Sequence, residues 1–387
     1  MQGVEACYLA RELGWDAVVV DRDPSVPARG IAVSFSQCDI EKDRTKLRKV
    51  IGGADLIIPA LENVSALKSL KAQAETTGVP LAYDERSYHI SRSKKLSNRL
   101  FVRLGIPLPR PWPECGFPVI AKPSTASGSQ GVRRFDSARE MNTFFKNSEK
   151  IPPGWVIQEY LEGPSYSLEV FGWEGHYKTA QVTELEMDGS YDCKRVLAPA
   201  EISDSLAGEF EALSLRTAQG LGLKGIMDVE VIEDEGVLKV LEIDARLPSQ
   251  TPSAVLHSTG INMVELLKEI FVDGQICRLP QDKNGRGVVY EHIRVAQDQI
   301  EVLGEHMMST AGPLQKVSGF FGADVGLTNL AESRPSWVAT LITTGKDRQE
   351  AWQRRCRVME KIGDFLGESS TNKPGSKTAA SHSSGGI

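Results

Sequence analysis

Long hydrophobic runs are missing from this sequence: no window holds the roughly 18 consecutive apolar residues of a membrane span. The N-terminus also lacks the charged, apolar and cleavage regions of a secretory signal. Blocks of one charge are missing too. Lys and Arg total 45 against 51 Asp and Glu, a net charge of -6 with the signs interspersed. That balance argues against nucleic acid or an anionic membrane as partner and favours small molecules. The six cysteines, Cys7, Cys38, Cys115, Cys193, Cys277 and Cys356, show no paired ligand spacing. Reduced thiols in a cytoplasmic protein are therefore expected rather than disulfides or a zinc site. No internal repeat is present, and no GK[ST] follows any glycine-rich loop, which excludes a Walker motif.

What is present is 387 residues with a 41% apolar fraction, enough for several packed domains. VEACYLARELGW has helical spacing and AVVVDRDP reads as a short buried strand; RKVIGGADLIIPALEN repeats the helix-to-strand alternation, as in a doubly wound parallel sheet. A Rossmann-like unit begins with a strand and a glycine-rich turn, whereas Met1, Gln2 and Gly3 stand at the end of such a turn. A first strand upstream of this start is expected. The Pro- and Gly-rich stretch LGIPLPRPWPECGFP marks a boundary, after which strands are expected in FPVIAKP, WVIQEYL, YSLEVFG, KTAQVTELEM, IMDVEVIED and VLKVLEID, then in GVVYEHIRV and WVATLIT. The division expected is 1–88, 89–274 with a hinge near 158–163, 275–367, and a polar disordered tail over 368–387.

Two segments carry chemistry. Lys122 ends the strand VIAKP just before PSTASGSQGV, in which Ser124, Thr125, Ser127, Gly128, Ser129 and Gly131 leave backbone amides open to a phosphate. An exposed small-residue hairpin is the plainer alternative. The second segment, IMDVEVIEDEGVLKVLEIDARLP, reads as two strands turning at Glu235 and Gly236. Alternation puts Asp228 and Glu230 on one face, and Glu242, Asp244 and Arg246 together on one face of the neighbouring strand. Four like charges repel unless a cation neutralises them, and hard oxygen ligands suit magnesium bridging nucleotide phosphates.

These segments and their order resemble the ATP-grasp superfamily, which holds ATP with magnesium between two α+β lobes. The resemblance implies an ATP-grasp fold of mixed α/β and α+β type with an N-terminal Rossmann-like domain. It makes Lys94, eleven residues before Gly105, and Lys122 the nucleotide lysines, with Ser127 and Gly128 at the phosphates. Gln158, Glu159, Tyr160 and Leu161 then fall on the adenine-holding hinge, and Glu242, Asp244 and Arg246 on a Glu-x-Asn-x-Arg signature whose asparagine is here an aspartate. Ser165 stands where many members carry a ribose-binding glutamate.

A narrower resemblance runs through YHISRSKK, YDCKRVLAP, LKGIMDVEVI and LEIDARLPSQTPSAV to the ligases of pyrrolysine biosynthesis. These join 3-methyl-D-ornithine (or D-ornithine) through its carboxylate to the side-chain amine of L-lysine. The resemblance implies nucleotide contacts at Asp21, Asp39 and Ile40, L-lysine contacts at Gln2, Glu62 and Asn63, and a homodimer. The ATP-dependent chemistry it implies is an acyl phosphate attacked by an amine. Magnesium would sit on Glu242, Asp244 and either Asp228 or Glu230, with Lys94, Lys122 and Arg246 stabilising charge on the transferring group. Glu169, Asp192 and Ser249 are the candidates for the ornithine amines, and no residue is assigned as the base. His257 and His292 read as packed or hydrogen-bonded histidines. The alternatives are another ATP-grasp amino-acid ligase, such as a D-alanine:D-alanine ligase, or a non-catalytic nucleotide-binding relative.

Overall fold

The computed structural model describes residues 1–146, 153–276, 285–296, 299–331, 334 and 336–371. The first unit opens on helix α1 (Gln2–Glu12), which buries Val4, Tyr8 and Leu9. Strands β1 (Val18–Asp21) and β2 (Ser34–Gln37) follow and pair in parallel, with α2 (Arg44–Ile51) and α3 (Val64–Thr77) packed together beside them. The expected strand in ADLIIPALEN contracts to a single parallel bridge between Ile57 and Leu81. Pro59 has no amide to give a ladder, and Asn63 already caps α3 by accepting from the Ala66 amide at 3.0 Å.

Two capped helices come next. Asp84 caps α4 (Glu85–Ser91), and Ser93 caps α5 (Lys94–Leu104), which Gly105 ends in the left-handed conformation at φ 63°. A small lobe follows in β3 (Val119–Pro123), β4 (Arg133–Phe135), α6 (Ala138–Phe144) and β5 (Trp155–Glu159). Its sheet order is β4-β3-β5 around Val119, Ala121, Phe135, Met141 and Ile157.

The remaining strands form one large sheet. They are β6 (Ser165–Trp173), β7 (His176–Thr179), β8 (Thr183–Met187), β9 (Cys193–Ala198), β10 (Gly225–Asp234) and β11 (Val237–Asp244), then β12 (Gly287–Ala296), β13 (Gln299–Val302), β14 (Gln315–Ser318), β15 (Val325–Thr328) and β16 (Ser336–Gly345). The main path runs β11-β10-β6-β8-β9-β12-β16-β15-β14, so the sheet continues across the boundary expected near residue 274 through the β9–β12 pairing. KTAQVTELEM does not form one strand. It splits into β7 and β8 because residues 180–182 stand opposite only Leu168 and Glu169, a bulge that places Glu169 at an irregularity in the sheet.

Helices α5 and α7 (Asp204–Leu221) cover one face of β6, β10 and β11, where Leu168, Val229, Val231 and Ile243 are buried with Phe101 and Phe210. Helices α8 (Thr251–Thr259) and α9 (Met263–Lys268) pack with α1 over the middle of the sheet, and the short α10 (His306–Ser309) lies beyond β13. Helix α11 (Arg348–Thr371) closes the other end. It passes Glu368, where the tail was expected to begin, because each added residue continues the backbone ladder started over the apolar contacts of Val358 and Ile362. The rest of that tail and Cys277 lie outside the described residues. Among the described residues no helix is long and apolar enough to cross a membrane, and the five cysteines described are free.

Candidate active site

The β10–β11 hairpin turns at Glu235 and Gly236, both at positive φ, and its register pairs Asp228 with Asp244 and Glu230 with Glu242. On its other side β10 pairs Asp228 with Glu169 and Glu230 with Ser167. Two acidic rows thus cross the strands on one face while the intervening valines and isoleucines fill the core behind them.

Three cations answer these acids. Lys94, first residue of α5, sets its Nζ 2.7 Å from Glu242 Oε2 and 2.8 Å from the Ala126 carbonyl. The start of α5 is docked on the small-residue loop, since the Lys94 amide donates to the Ser124 carbonyl at 2.8 Å. Lys122 is 8% exposed and donates to the Leu241 carbonyl at 3.2 Å. Arg246 holds Asp244 Oδ2 at 2.8 Å and reaches Glu62 Oε1 of the first unit at 2.6 Å. With its amide oxygen turned toward this guanidinium, Gln2 accepts from Arg246 Nε at 2.7 Å.

Burial and crowding set the protonation. Desolvation drives the Lys122 ammonium down to about 8, against the pull of Glu242. Burial, then repulsion from Glu230 and Asp244, pushes Asp228 well above the usual carboxylate range, and burial with Glu242 does the same to Glu230. Burial raises Asp244 to about 6 despite Arg246. Glu242 resists its burial, because Lys94 and Lys122 hold it below the ordinary value. The acids with no cation in direct contact are Asp228 and Glu230, and Asp244 shares Arg246 with Glu62.

That deficit fits a cation. Asp228 Oδ1 and Asp244 Oδ1 are buried with no hydrogen-bond partner. Among the described residues no three Asp, Glu, His or Cys side chains converge to form a closed cage. Magnesium commonly takes only one or two carboxylates and completes its shell with water and phosphate oxygens, so an open acidic face suits it.

In front of the acids lies a cavity of about 460 Å³, lined by seven carboxylates (Glu62, Asp192, Asp228, Glu230, Glu242, Asp244 and Glu305) against one guanidinium, Arg246. Ser127, Gly128 and Ser129 of the small-residue loop line it as well. Ser127 donates to Glu62, and Ser129 to the Tyr191 carbonyl. Gln2 and Ser249 are also on its wall. Asp192 accepts from the His306 amide at 2.8 Å, with His306 Nδ1 also 2.8 Å away.

Other residues expected at the site lie elsewhere. Asp21 and Asp39 bind backbone amides of their own turns, at 2.8 Å to Asp23 and 3.0 Å to Glu41, and Ile40 packs beside Leu47; none of the three lines the cavity. Asn63 is occupied as the cap of α3. Glu169 is fully buried at the end of the acidic row, where desolvation raises it to about 7 and neither carboxylate oxygen has a hydrogen-bond partner. On the hinge, Gln158 is buried in β5 and the Glu159 carboxylate is held at 2.7 Å by both Arg110 and Lys239, a structural pairing. Tyr160 lies under Arg134, whose guanidinium carbon is 4.2 Å from the ring centroid, and Leu161 follows it. Sequence reasoning did not single out Gln250, although it stands in LEIDARLPSQTPSAV, and missed Glu305 and His306, which no motif marks.

Residues 92–250 match the ATP-grasp domain family. Over 96% of this chain and 93% of its own, the fold superimposes on the biotin carboxylase–beta-gamma-ATP complex from Campylobacter jejuni, with a TM-score of 0.71 at 14% identity. Fold and site together define an ATP-grasp ligase, an enzyme that makes carbon–nitrogen bonds. The chain is 35% identical over 359 residues to the 3-methyl-D-ornithine–L-lysine ligase of Methanosarcina acetivorans, covering 92% of this chain and 93% of that protein. It is also 35% identical over 358 residues to the enzyme of the same name from Methanosarcina mazei, covering 92% and 91%. It belongs to the 3-methyl-D-ornithine–L-lysine ligase family.

Proposed function

We propose that this enzyme uses ATP and magnesium to join the carboxylate of 3-methyl-D-ornithine, or D-ornithine, to the side-chain amine of L-lysine in the cytoplasm, as a step of pyrrolysine biosynthesis. The observation that carries the reading is the acid-rich cavity: beside the acids set aside for magnesium, Glu62, Asp192 and Glu305 line its wall, and both substrates bring ammonium groups that such carboxylates suit.

Bound ATP with magnesium supplies the phosphoryl group that turns a poor electrophile into an acyl phosphate. Glu242 and Asp244, or one of them with Asp228 or Glu230, would hold the metal, and phosphate oxygens and water would complete its shell; Glu242 would become free as Lys94 turns from it to a phosphate. Lys122 and Arg246 place positive charge beside the transferring group, and preorganised charge in a low-dielectric wall costs no reorganisation as the reaction proceeds. The Ser127–Gly128 turn offers backbone amides to the phosphates, while the 158–161 hinge takes the adenine. Glu62 and Gln2, locked on Arg246, would face L-lysine, and Asp192 and Ser249 the ornithine. Residues 1–88, 89–274 and 275–367 serve as the three domains of a homodimer in this reading.

Mass spectrometry of products from ATP, magnesium, L-lysine and D-ornithine tests it. An isopeptide-linked dipeptide that requires both amino acids is the expected product. ADP release with no adduct would remove the assigned acceptor, and absence of ADP release would remove the ligase reading.

A further inference from the structure

In the proposed reaction the attacking nitrogen arrives as an ammonium, with no lone pair to offer a carbonyl carbon until a proton leaves it. An unperturbed lysine amine has a pKa of about 10.4, so near neutrality that proton has to be taken by a base. His306, the first residue of α10, stands on the cavity wall beside Asp192. Asp192 Oδ2 lies 2.8 Å from the His306 backbone amide and 2.8 Å from ring Nδ1. A carboxylate only accepts, so Nδ1 carries the proton and Nε2 of the neutral ring keeps its lone pair.

The orientation of this pair is enforced from both sides. The Asp188 amide donates to the Asp192 carbonyl at 2.8 Å, and Asp188 Oδ1 accepts from the Asp192 amide at 3.1 Å. Asp188 Oδ2 accepts from the Gly304 amide at 3.0 Å, so one carboxylate ties the β8–β9 turn to the segment that carries the histidine. The other edge of the ring faces the small-residue loop: a Cβ built on Gly128 would stand 3.3 Å from His306 Cε1 and 3.4 Å from Nε2. Nε2 therefore sits where the Ser127–Gly128 turn, proposed for phosphate, meets the wall proposed for the amino acids. The side chain is 49% exposed, which opens it to substrate and lets water carry a proton away.

We infer that His306 is the general base of the ligation step, with Asp192 as its positioning residue. This role rests on the ligase reading for its reaction, while the His306–Asp192 pair and its place beside the phosphate turn are features of the fold. Nε2 takes one proton from the ammonium and becomes part of an imidazolium, which the Asp192 carboxylate stabilises while it fixes the ring tautomer. The freed lone pair attacks the acyl carbon; a C–N bond forms, and the C–O bond to phosphate breaks. Phosphate leaves with that electron pair and takes the second proton from nitrogen, and the imidazolium returns its proton to water.

Hydroxylamine provides the test, because it is largely unprotonated near neutrality and intercepts an acyl phosphate without help from a base. At saturating ATP, magnesium and D-ornithine, the rates of D-ornithine hydroxamate and of L-lysine dipeptide formation are measured for wild type, His306→Gln, His306→Ala and Asp192→Asn, with melting curves for each. In His306→Gln the dipeptide rate is expected to fall by about 100-fold or more while the hydroxamate rate holds. Added imidazole should restore part of the dipeptide rate in His306→Ala. Asp192→Asn, whose oxygen still accepts from Nδ1 but carries no charge, should fall between His306→Gln and wild type, again with the hydroxamate retained. An unchanged dipeptide rate in His306→Gln overturns the inference. Equal loss of both products, or a lost melting transition with no imidazole rescue, assigns the residue to activation or structure and overturns it too. If the wild type makes hydroxamate but no dipeptide, activation stands while acceptor and base both fall; if it makes neither, the ligase reading itself fails and the inference with it.

Discussion

Lys94 Nζ and Glu242 Oε2 lie 2.7 Å apart, so the cation proposed for phosphate and the anion proposed for the metal neutralise one another in this structure. The pair spares each side chain the desolvation cost of standing alone, and exchanging it for nucleotide and metal leaves both charges satisfied. Lys94→Met should therefore remove a cation felt most strongly as charge moves to the leaving group. We expect kcat/KM for ATP to fall by about 100-fold or more. Glu242→Gln should instead raise the magnesium concentration needed for half-maximal rate. Steady-state ADP release over an ATP and a magnesium series separates the two, and equal responses to both titrations would contradict the assignment.

Lys122 gives nucleotide binding a pH dependence. Burial lowers this ammonium to about 8, so it is charged below that pH and neutral above it. Phosphate binding favours the charged form, and MgADP affinity is expected to fall as pH rises from about 7 to about 9, approaching tenfold per unit beyond the pKa. Calorimetric titrations across that range check it. Lys122→Met should bind weakly with a flat profile, and a profile as steep as the wild type's would place the titration elsewhere.

Glu5 sets a second pH effect, this time on stability. Desolvation raises its carboxyl to about 7, only partly offset by the Ser253 amide. A carboxyl whose folded pKa is raised holds its proton longer in the native state. Its contribution is fully present below the unfolded value near 4.5 and is lost as pH climbs through about 7. The span corresponds to roughly 3 kcal/mol. Glu5→Gln keeps an acceptor oxygen for Ser253 and removes the charge, so it should melt higher than wild type at pH about 8 and nearly equal to it near pH about 4.5. Denaturant unfolding at the two pH values measures the difference, and a pH-independent gap would defeat the argument.

The acidic face was legible because strand alternation is a local rule. Once Val229, Val231 and Ile243 are assigned to the core, Asp228, Glu230, Glu242 and Asp244 have only one side left, and the register adds their pairing. Asn63 shows the converse: a polar residue read toward a ligand is consumed by a helix N-terminus three residues on. The roles of Gln250, Glu305 and His306 went unassigned for a different reason. Their meeting depends on Glu5 usurping the cap of α8 across 248 residues and on the segment after β13 reaching Asp192 across 114, and no spacing rule reports contacts of that range.

Gly304 offers a test of that long-range wall. Its amide donates to Asp188 Oδ2 at 3.0 Å, and a Cβ built on it would overlap the Asp192 carboxylate. Here glycine is required by close approach rather than by backbone conformation. Gly304→Ala must push Asp192 aside, breaking its bond to the His306 amide and shifting Glu305 one residue away. Overpacking of this kind costs about 1–3 kcal/mol, so the melting temperature should fall. Because the displaced groups line the part of the cavity proposed for the amino acids, KM for an amino-acid substrate should rise while KM for ATP holds. Steady-state kinetics at a temperature well below the mutant's melting point checks both parts; a rise confined to the ATP KM would mean that the 303–306 wall serves the nucleotide instead.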